Sequence, residues 1–131
     1  VFARRGLVVD FSGSWILPRI IGVQKAKELM MTATEINGTT LNDYGVLYKL
    51  VEKPDLDSEL NNLVDLLDKQ SFISICMIKD QIRKGLNTNF DESLSNETDN
   101  QNSRFVHSDV MEGMSAFVEK RQPNYKNTLD E

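Results

Sequence analysis

Asp10 stands beside Val8, Val9, Phe11 and Trp15 and just ahead of the small-residue run Ser12-Gly13-Ser14. A carboxylate in that setting can do two kinds of work. Placed before a helix it accepts backbone N–H groups and caps the first turn. Set among apolar side chains it can serve as a general acid or base. The residue types leave both open, and one residue can do both. Gly13 reads as a position of close backbone approach or as turn geometry. Trp15 is an apolar anchor or a substrate contact. Phe117 and Lys120 close the last helical stretch, where a lysine complements the helix dipole. Cys76 is the only cysteine, so it can form no internal disulfide or cysteine zinc site and reads as a small buried apolar residue in a reducing compartment. His107 faces no Ser, Cys or acidic partner in a recognisable pattern and reads as structural or exposed. No metal-ligand cluster and no Gly-rich phosphate loop is present in the sequence.

The elements that must position these residues are mostly helical. The turn at 10–14 leads into a helix over 12–20, which Pro18 ends or bends, with Gly22 as the break. Val23, Ala26, Leu29, Met30 and Ala33 recur at helical spacing over 23–32, with lysines opposite. A brief extended piece at 35–38 precedes one helical turn starting at Thr40 with Asp43 three residues on and ending at Gly45. Residues 46–51 read as a strand. Pro54-Asp55 starts a helix with the stripe Leu56, Leu60, Leu63, Val64 and Leu67. A helix over 71–86 buries Phe72, Ile75, Cys76, Ile78 and Ile82. The polar stretch 91–102 is read as a helix, Ser108 caps the final one, and the tail from Gln122 is polar and frayed. The expected total is about six helices and two short strands, a mainly α chain with too little sheet for an independent α/β enzyme.

Composition narrows the function classes. The chain has 131 residues, 40% of them hydrophobic and 27% charged, within the range of one globular domain. The net charge of −5 comes with scattered basic residues, which argues against nucleic acid. No apolar run reaches the roughly 18 residues of a membrane span, and no segment has the plan of a signal peptide; a cytoplasmic location is the default expectation. The chain opens on Val1-Phe2-Ala3-Arg4-Arg5, without a cap or turn signal, and reads as a start within a domain.

Three motifs in order carry a resemblance. Gly6-Leu7-Val8-Val9-Asp10-Phe11-Ser12-Gly13-Ser14 through Leu17-Pro18-Arg19-Ile20-Ile21-Gly22 resembles a Gly-Leu-x-Pro-Asp-like turn leading to Leu-Pro-Arg-x-x-Gly. Ala26-Lys27-Glu28-Leu29, Ile36-Asn37 and Gly45-Val46-Leu47 follow at matching spacing. Glu112-Gly113-Met114-Ser115-Ala116-Phe117-Val118-Glu119-Lys120-Arg121 with Pro123-Asn124-Tyr125 resembles the closing Glu-Gly-x-x-Ala-Phe-x-Glu-Lys-Arg-x-Pro-x-Phe signature. Together they resemble the C-terminal half of the crotonase family of enoyl-CoA hydratases and isomerases.

The resemblance implies the end of a crotonase-type α/β spiral core at 1–54, including the Asp10 turn, and a helical oligomerisation and acyl-CoA-covering domain at 55–131. It implies an acyl-CoA substrate, no cofactor, and a homo-oligomer of trimers or paired trimers. The oxyanion donors and one hydratase glutamate would lie ahead of Val1. The second glutamate would fall at Phe2, which can move no proton, whereas Asp10 falls where the family's isomerases place their acid. Isomerase chemistry is therefore expected over two-glutamate hydration. Asp10 is the catalytic candidate, with Phe11, Gly13, Trp15, Phe117 and Lys120 as substrate-binding candidates. The alternative is a non-catalytic oligomerisation fragment.

Overall fold

In the computed structural model, which describes residues 2–126, every regular element among the described residues is helical. The chain divides into two units, Val1–Leu56 and Asp57–Glu131.

The first unit opens with a 3-10 turn at Ala3–Arg5, closed by Gly6 in the left-handed region. Helix α1 (Gly13–Ile21) and helix α2 (Val23–Thr32) pack directly on one another. Gly22 joins them at φ 81°, a conformation that glycine adopts without strain. Pro18 neither ends nor breaks α1, which continues to Ile21. Its missing N–H withdraws one bond from the Ser14 carbonyl, and Ser14 is exposed, so water can serve that carbonyl. The amphipathic pattern of α2 places Ala26 in the interior, 1% exposed, and Ala33 is buried where the helix ends. Helix α3 (Gly38–Asp43) starts earlier than the Thr40 signal suggests: Asn37 is the cap, its Oδ1 accepting the Thr40 N–H at 2.9 Å.

The expected strand at 46–51 does not form; those residues run without ladder bonds after the turn at Gly45. A strand exists only by pairing its backbone groups with a neighbour. No other strand occurs among the described residues, so these strand-prone residues have nothing to pair with.

The second unit carries the longer helices. A 3-10 turn at Lys53–Asp55 feeds α4 (Leu56–Asp68), followed by α5 (Phe72–Gly85), α6 (Phe90–Phe105) and α7 (Ser108–Glu119). Helices α5 and α6 pack together. The polar α6 is a helix in spite of its Asp, Asn and Ser content because Asn89 caps it, accepting the Glu92 N–H at 2.9 Å, and Asp91 and Glu92 fall at the positive end of its dipole.

The apolar stripes are present but uncovered. Phe72, Ile78 and Ile82 stay exposed, as does Cys76, which corrects the expectation that α5 buries them. The α4 stripe of Leu56, Leu60, Val64 and Leu67 is equally open. Two compact units of these sizes standing wholly apart would expose roughly 8,400 Å². The chain exposes 10547 Å². Among the described residues the buried apolar side chains are Ala26 and Ala33 in the first unit and Ala116 in the second, so neither unit encloses a core of ordinary size.

Candidate functional site

The Asp10 turn is built from strained backbone. Phe11 has φ 48° and Ser12 has φ 58°, both left-handed, and neither is glycine. Each costs about 1–2 kcal/mol relative to right-handed backbone. The turn closes with the Gly13 N–H donating to the Asp10 carbonyl at 2.9 Å, and the Ser12 carbonyl then accepts the N–H groups of Trp15 and Ile16. Ser12, not Asp10, is the N-cap residue, and its hydroxyl makes no capping bond. Asp10 is exposed, and its carboxylate has no hydrogen bond or ion pair among the described residues. The capping role open to Asp10 in the sequence is thus not taken up. Phe11 is 92% exposed beside it.

Gly13 sits where a side chain could not. A Cβ built on it would lie 2.7 Å from Cγ1 of Val9, so the close approach is between the start of α1 and the segment entering the turn. One turn into the helix, the Arg19 guanidinium lies 3.8 Å above the Trp15 ring and donates through Nη1 to the Trp15 carbonyl at 2.8 Å. The cation covers one ring face, and Trp15 remains 36% exposed; it is not a buried anchor.

Phe117 and Lys120 lie in the second unit, at the end of α7. Phe117 is 81% exposed. Lys120 is exposed and forms the C-cap at φ 55°, its N–H reaching the carbonyls of Ala116 and Phe117. The chain then folds back. Arg121 donates Nη1 and Nη2 to the two oxygens of Glu112 at 2.6 and 3.0 Å, and Nε to Glu119 at 2.6 Å. The Asn124 N–H also donates to Glu112, at 2.7 Å. These donors, the Arg121 guanidinium first and then the Asn124 backbone, hold the Glu112 carboxyl down from its usual 4.5 to about 2. Tyr125 lies against Gly113, where an added Cβ would meet Oη at 3.0 Å. The tail expected to fray from Gln122 is instead pinned as far as Tyr125, because its signature residues bond to one another; the remainder of that expectation lies outside the described residues.

Sequence reasoning passed over a polar cluster in this unit. The Ser71 hydroxyl, at the cap of α5, donates to Oδ2 of Asp109, which also accepts from Nη2 of Arg104 at 3.2 Å. Arg104 and Asp109 are 11% and 12% exposed. His107 caps α7, its Nδ1 accepting the Asp109 N–H at 3.2 Å. It is a structural residue, and its place next to Ser108 was the available signal. Ser71, Ser74, Asp109, Gly113, Met114 and Tyr125 border a cavity of about 220 Å³.

The structure thus gathers Asp10, Phe11, Gly13 and Trp15 on one turn of the first unit, and Phe117 with Lys120 on one helix end of the second. No group of three or more metal-ligating side chains occurs among the described residues, and none of their helices is long and apolar enough to cross a membrane.

Comparison with known proteins gives this arrangement a context. The chain is 31% identical over 120 residues to crotonyl-CoA hydratase of Syntrophomonas wolfei, covering 92% of this chain and 46% of that protein. It is 30% identical to the trans-2-decenoyl-[acyl-carrier-protein] isomerase of Streptococcus mutans, covering 95% and 47%. Among solved structures, an enoyl-CoA hydratase from Polaromonas sp. JS666 superimposes with a TM-score of 0.89 at 30% identity, over 95% of this chain and 49% of that one. One from Geobacillus kaustophilus gives a TM-score of 0.90 at 25% identity, over 97% and 49%. The chain spans about half the length of the relatives it matches. Residues 1–128 match the enoyl-CoA hydratase/isomerase family as a whole, and the chain belongs to that family.

Proposed function

We propose that this chain is the C-terminal half of an enoyl-CoA hydratase/isomerase whose complete polypeptide moves the double bond of 2- or 3-enoyl thioesters, with Asp10 as the acid/base. The observation that carries the reading is the Asp10 carboxylate itself. It stands exposed and unbonded at the start of a strained turn that also carries exposed Phe11. A carboxylate kept for a cap would be spent on backbone N–H groups; this one is free to meet a substrate.

The reaction needs one such group. With the thioester oxygen held by donors outside this chain, the Asp10 carboxylate removes a proton from C2 of a 3-enoyl thioester. The electron pair delocalises into a dienolate, and the same proton returns at C4, leaving the 2-enoyl isomer. Phe2 in place of a second glutamate leaves the usual two-glutamate arrangement for activating water incomplete, which favours this over hydration. The names of the relatives support both a CoA and a carrier-protein thioester as the substrate class. In this reading Phe11, Gly13 and Trp15 border the acyl chain, while Phe117 and Lys120 meet the acyl tail or nucleotide of a neighbouring protomer in a homo-oligomer. No cofactor enters the reaction. Taken by itself, the chain is a non-catalytic helical module, a second reading favoured by its excess exposed surface.

The test is Asp10→Asn in the complete polypeptide, assayed by conversion of a 3-enoyl-CoA to the conjugated 2-enoyl-CoA. Turnover should fall by about 10²–10⁴-fold, the usual contribution of a positioned acid/base. Turnover near that of the parent would overturn the assignment.

A further inference from the structure

Ser12 is a residue type that normally caps helices with its hydroxyl from extended backbone, and it stands at the cap position of α1. Here it does neither: it is left-handed at φ 58° and its side chain makes no cap bond. Phe11, immediately before it, is also left-handed at φ 48°. A phenylalanine there is a conformational outlier, since the residues that visit this region routinely are Gly, Asn and Asp. The turn thus forgoes a cap that its own sequence offers and holds two disfavoured backbone conformations in succession.

What the conformation achieves is direction. Two consecutive left-handed residues reverse the chain within one peptide-length of Asp10, and the reversal is locked by the Gly13 N–H on the Asp10 carbonyl at 2.9 Å. Gly13 must lack a side chain for Val9 to fit against it, with Cγ1 of Val9 2.7 Å from where a Cβ would stand. The extended, capping alternative at Ser12 would turn its hydroxyl onto the helix and swing residues 10 and 11 away from it. Strain of this kind persists only where the surroundings over-determine it, and it collects at functional sites.

We infer that the left-handed Phe11-Ser12 pair is a positioning device, with Ser12 as the positioning residue that aims the Asp10 carboxylate and the Phe11 ring at the acyl chain. The inference rests on the acid/base role proposed for Asp10. It assigns the work to the backbone of Ser12 and none to its hydroxyl.

Substitutions at Ser12 in the complete polypeptide separate backbone from side chain. Ser12→Gly and Ser12→Asn lack the hydroxyl but suit left-handed backbone. Both should keep kcat within about threefold of the parent, with a melting temperature raised by about 2–4 °C from relieved strain. Ser12→Val disfavours the left-handed region most, because of its β-branch. It should lower kcat on the order of 10²-fold, the cost of roughly 1 Å of misplacement, with a smaller rise in KM from the displaced Phe11 ring. Ser12→Thr applies the same bias more mildly and serves where Ser12→Val does not fold. A purely structural Ser12 would show loss of melting temperature in Val and Thr with kcat of the folded fraction intact, and that result overturns the inference. Loss of kcat in Ser12→Gly would also overturn it, by placing the work in the hydroxyl. Asp10→Asn run alongside distinguishes the two failures. If it retains turnover, the acid/base reading fails and this inference with it; if it abolishes turnover while Ser12→Val does not, only the positioning role fails.

Discussion

Arg121 reaches back nine positions to grip Glu112 with both Nη atoms, at 2.6 and 3.0 Å, while Asn124 closes the loop by donating its backbone N–H to the same carboxylate. A paired, forked geometry of this kind is shorter and more directional than a single contact. It converts the end of α7 from a polar tail into a folded strap.

The strap should therefore be acid-labile. Glu112 is held at about 2 against its usual 4.5. A depressed carboxyl contributes stability in full above its unfolded value, and that contribution is lost as pH falls from about 4.5 towards 2. The protection factor of the Asn124 amide should be high at pH 6 and fall below pH 4 while α2 and α4 remain protected. Glu112→Gln should give the low protection at every pH. Equal Asn124 protection in parent and Glu112→Gln would show that the pair does not hold the tail.

Asp109 ties the start of α7 to both Arg104 and Ser71 in a site only about a tenth exposed. Removing an acceptor from a buried pair leaves an uncompensated cation, which costs more than the pair was worth. Asp109→Ala should destabilise by roughly 3–5 kcal/mol in urea or thermal melts, and Ser71→Ala by about 1 kcal/mol. The double variant Asp109→Ala with Arg104→Met, which removes the charge as well, should recover part of the loss. A loss of under about 1 kcal/mol in Asp109→Ala would mean that water already satisfies Arg104.

How much of this was readable beforehand follows the range of the forces involved. The helices α2, α4, α5 and α6 announce themselves through spacing and caps, which act within about four residues, and the Asp91-to-Asn102 stretch could be read as a helix for that reason. Residues 46–51 misled because a strand needs a distant partner and a run of strand-prone residues does not supply one. Cys76, Phe72 and Ile82 misled in the same way: the stripe shows which face wants covering, not whether this chain covers it. At the site, Asp10 and Gly13 stood out by type. The left-handed Phe11 and Ser12 did not, since their conformation contradicts local preference, and the Glu112–Arg121 pair lies outside any helical spacing.

Gly13→Ala is a local probe of the turn. Its Cβ would press on Cγ1 of Val9 at 2.7 Å, and a β-branched valine has little rotamer freedom to yield. A cost of about 1–3 kcal/mol is expected, in the range of overpacked positions. Adding Val9→Ala should recover most of it, because the clash is with that side chain and not with backbone. Measured by thermal denaturation of the complete polypeptide, additivity of the two changes would refute the contact.

The isolated 131-residue chain should self-associate. Leu56, Leu60, Val64 and Leu67 lie on one face of α4 and all are exposed, as are Phe72 on α5 and Met111, Met114, Phe117 and Val118 on α7. Contiguous apolar surface beyond a few hundred Å² is uncommon on soluble monomers and drives association until it is covered. With Ala26, Ala33 and Ala116 the buried apolar residues among the described ones, this chain leaves its large apolar side chains outside any core. Light scattering at increasing concentration should show a mass above 14.9 kDa, falling when Leu60→Glu and Val64→Lys interrupt the α4 stripe. Association driven by apolar burial should also strengthen on warming from about 5 to 25 °C, because that driving force weakens in the cold. A single sharp peak at the monomer mass at every concentration would show that the exposed stripes do not drive association.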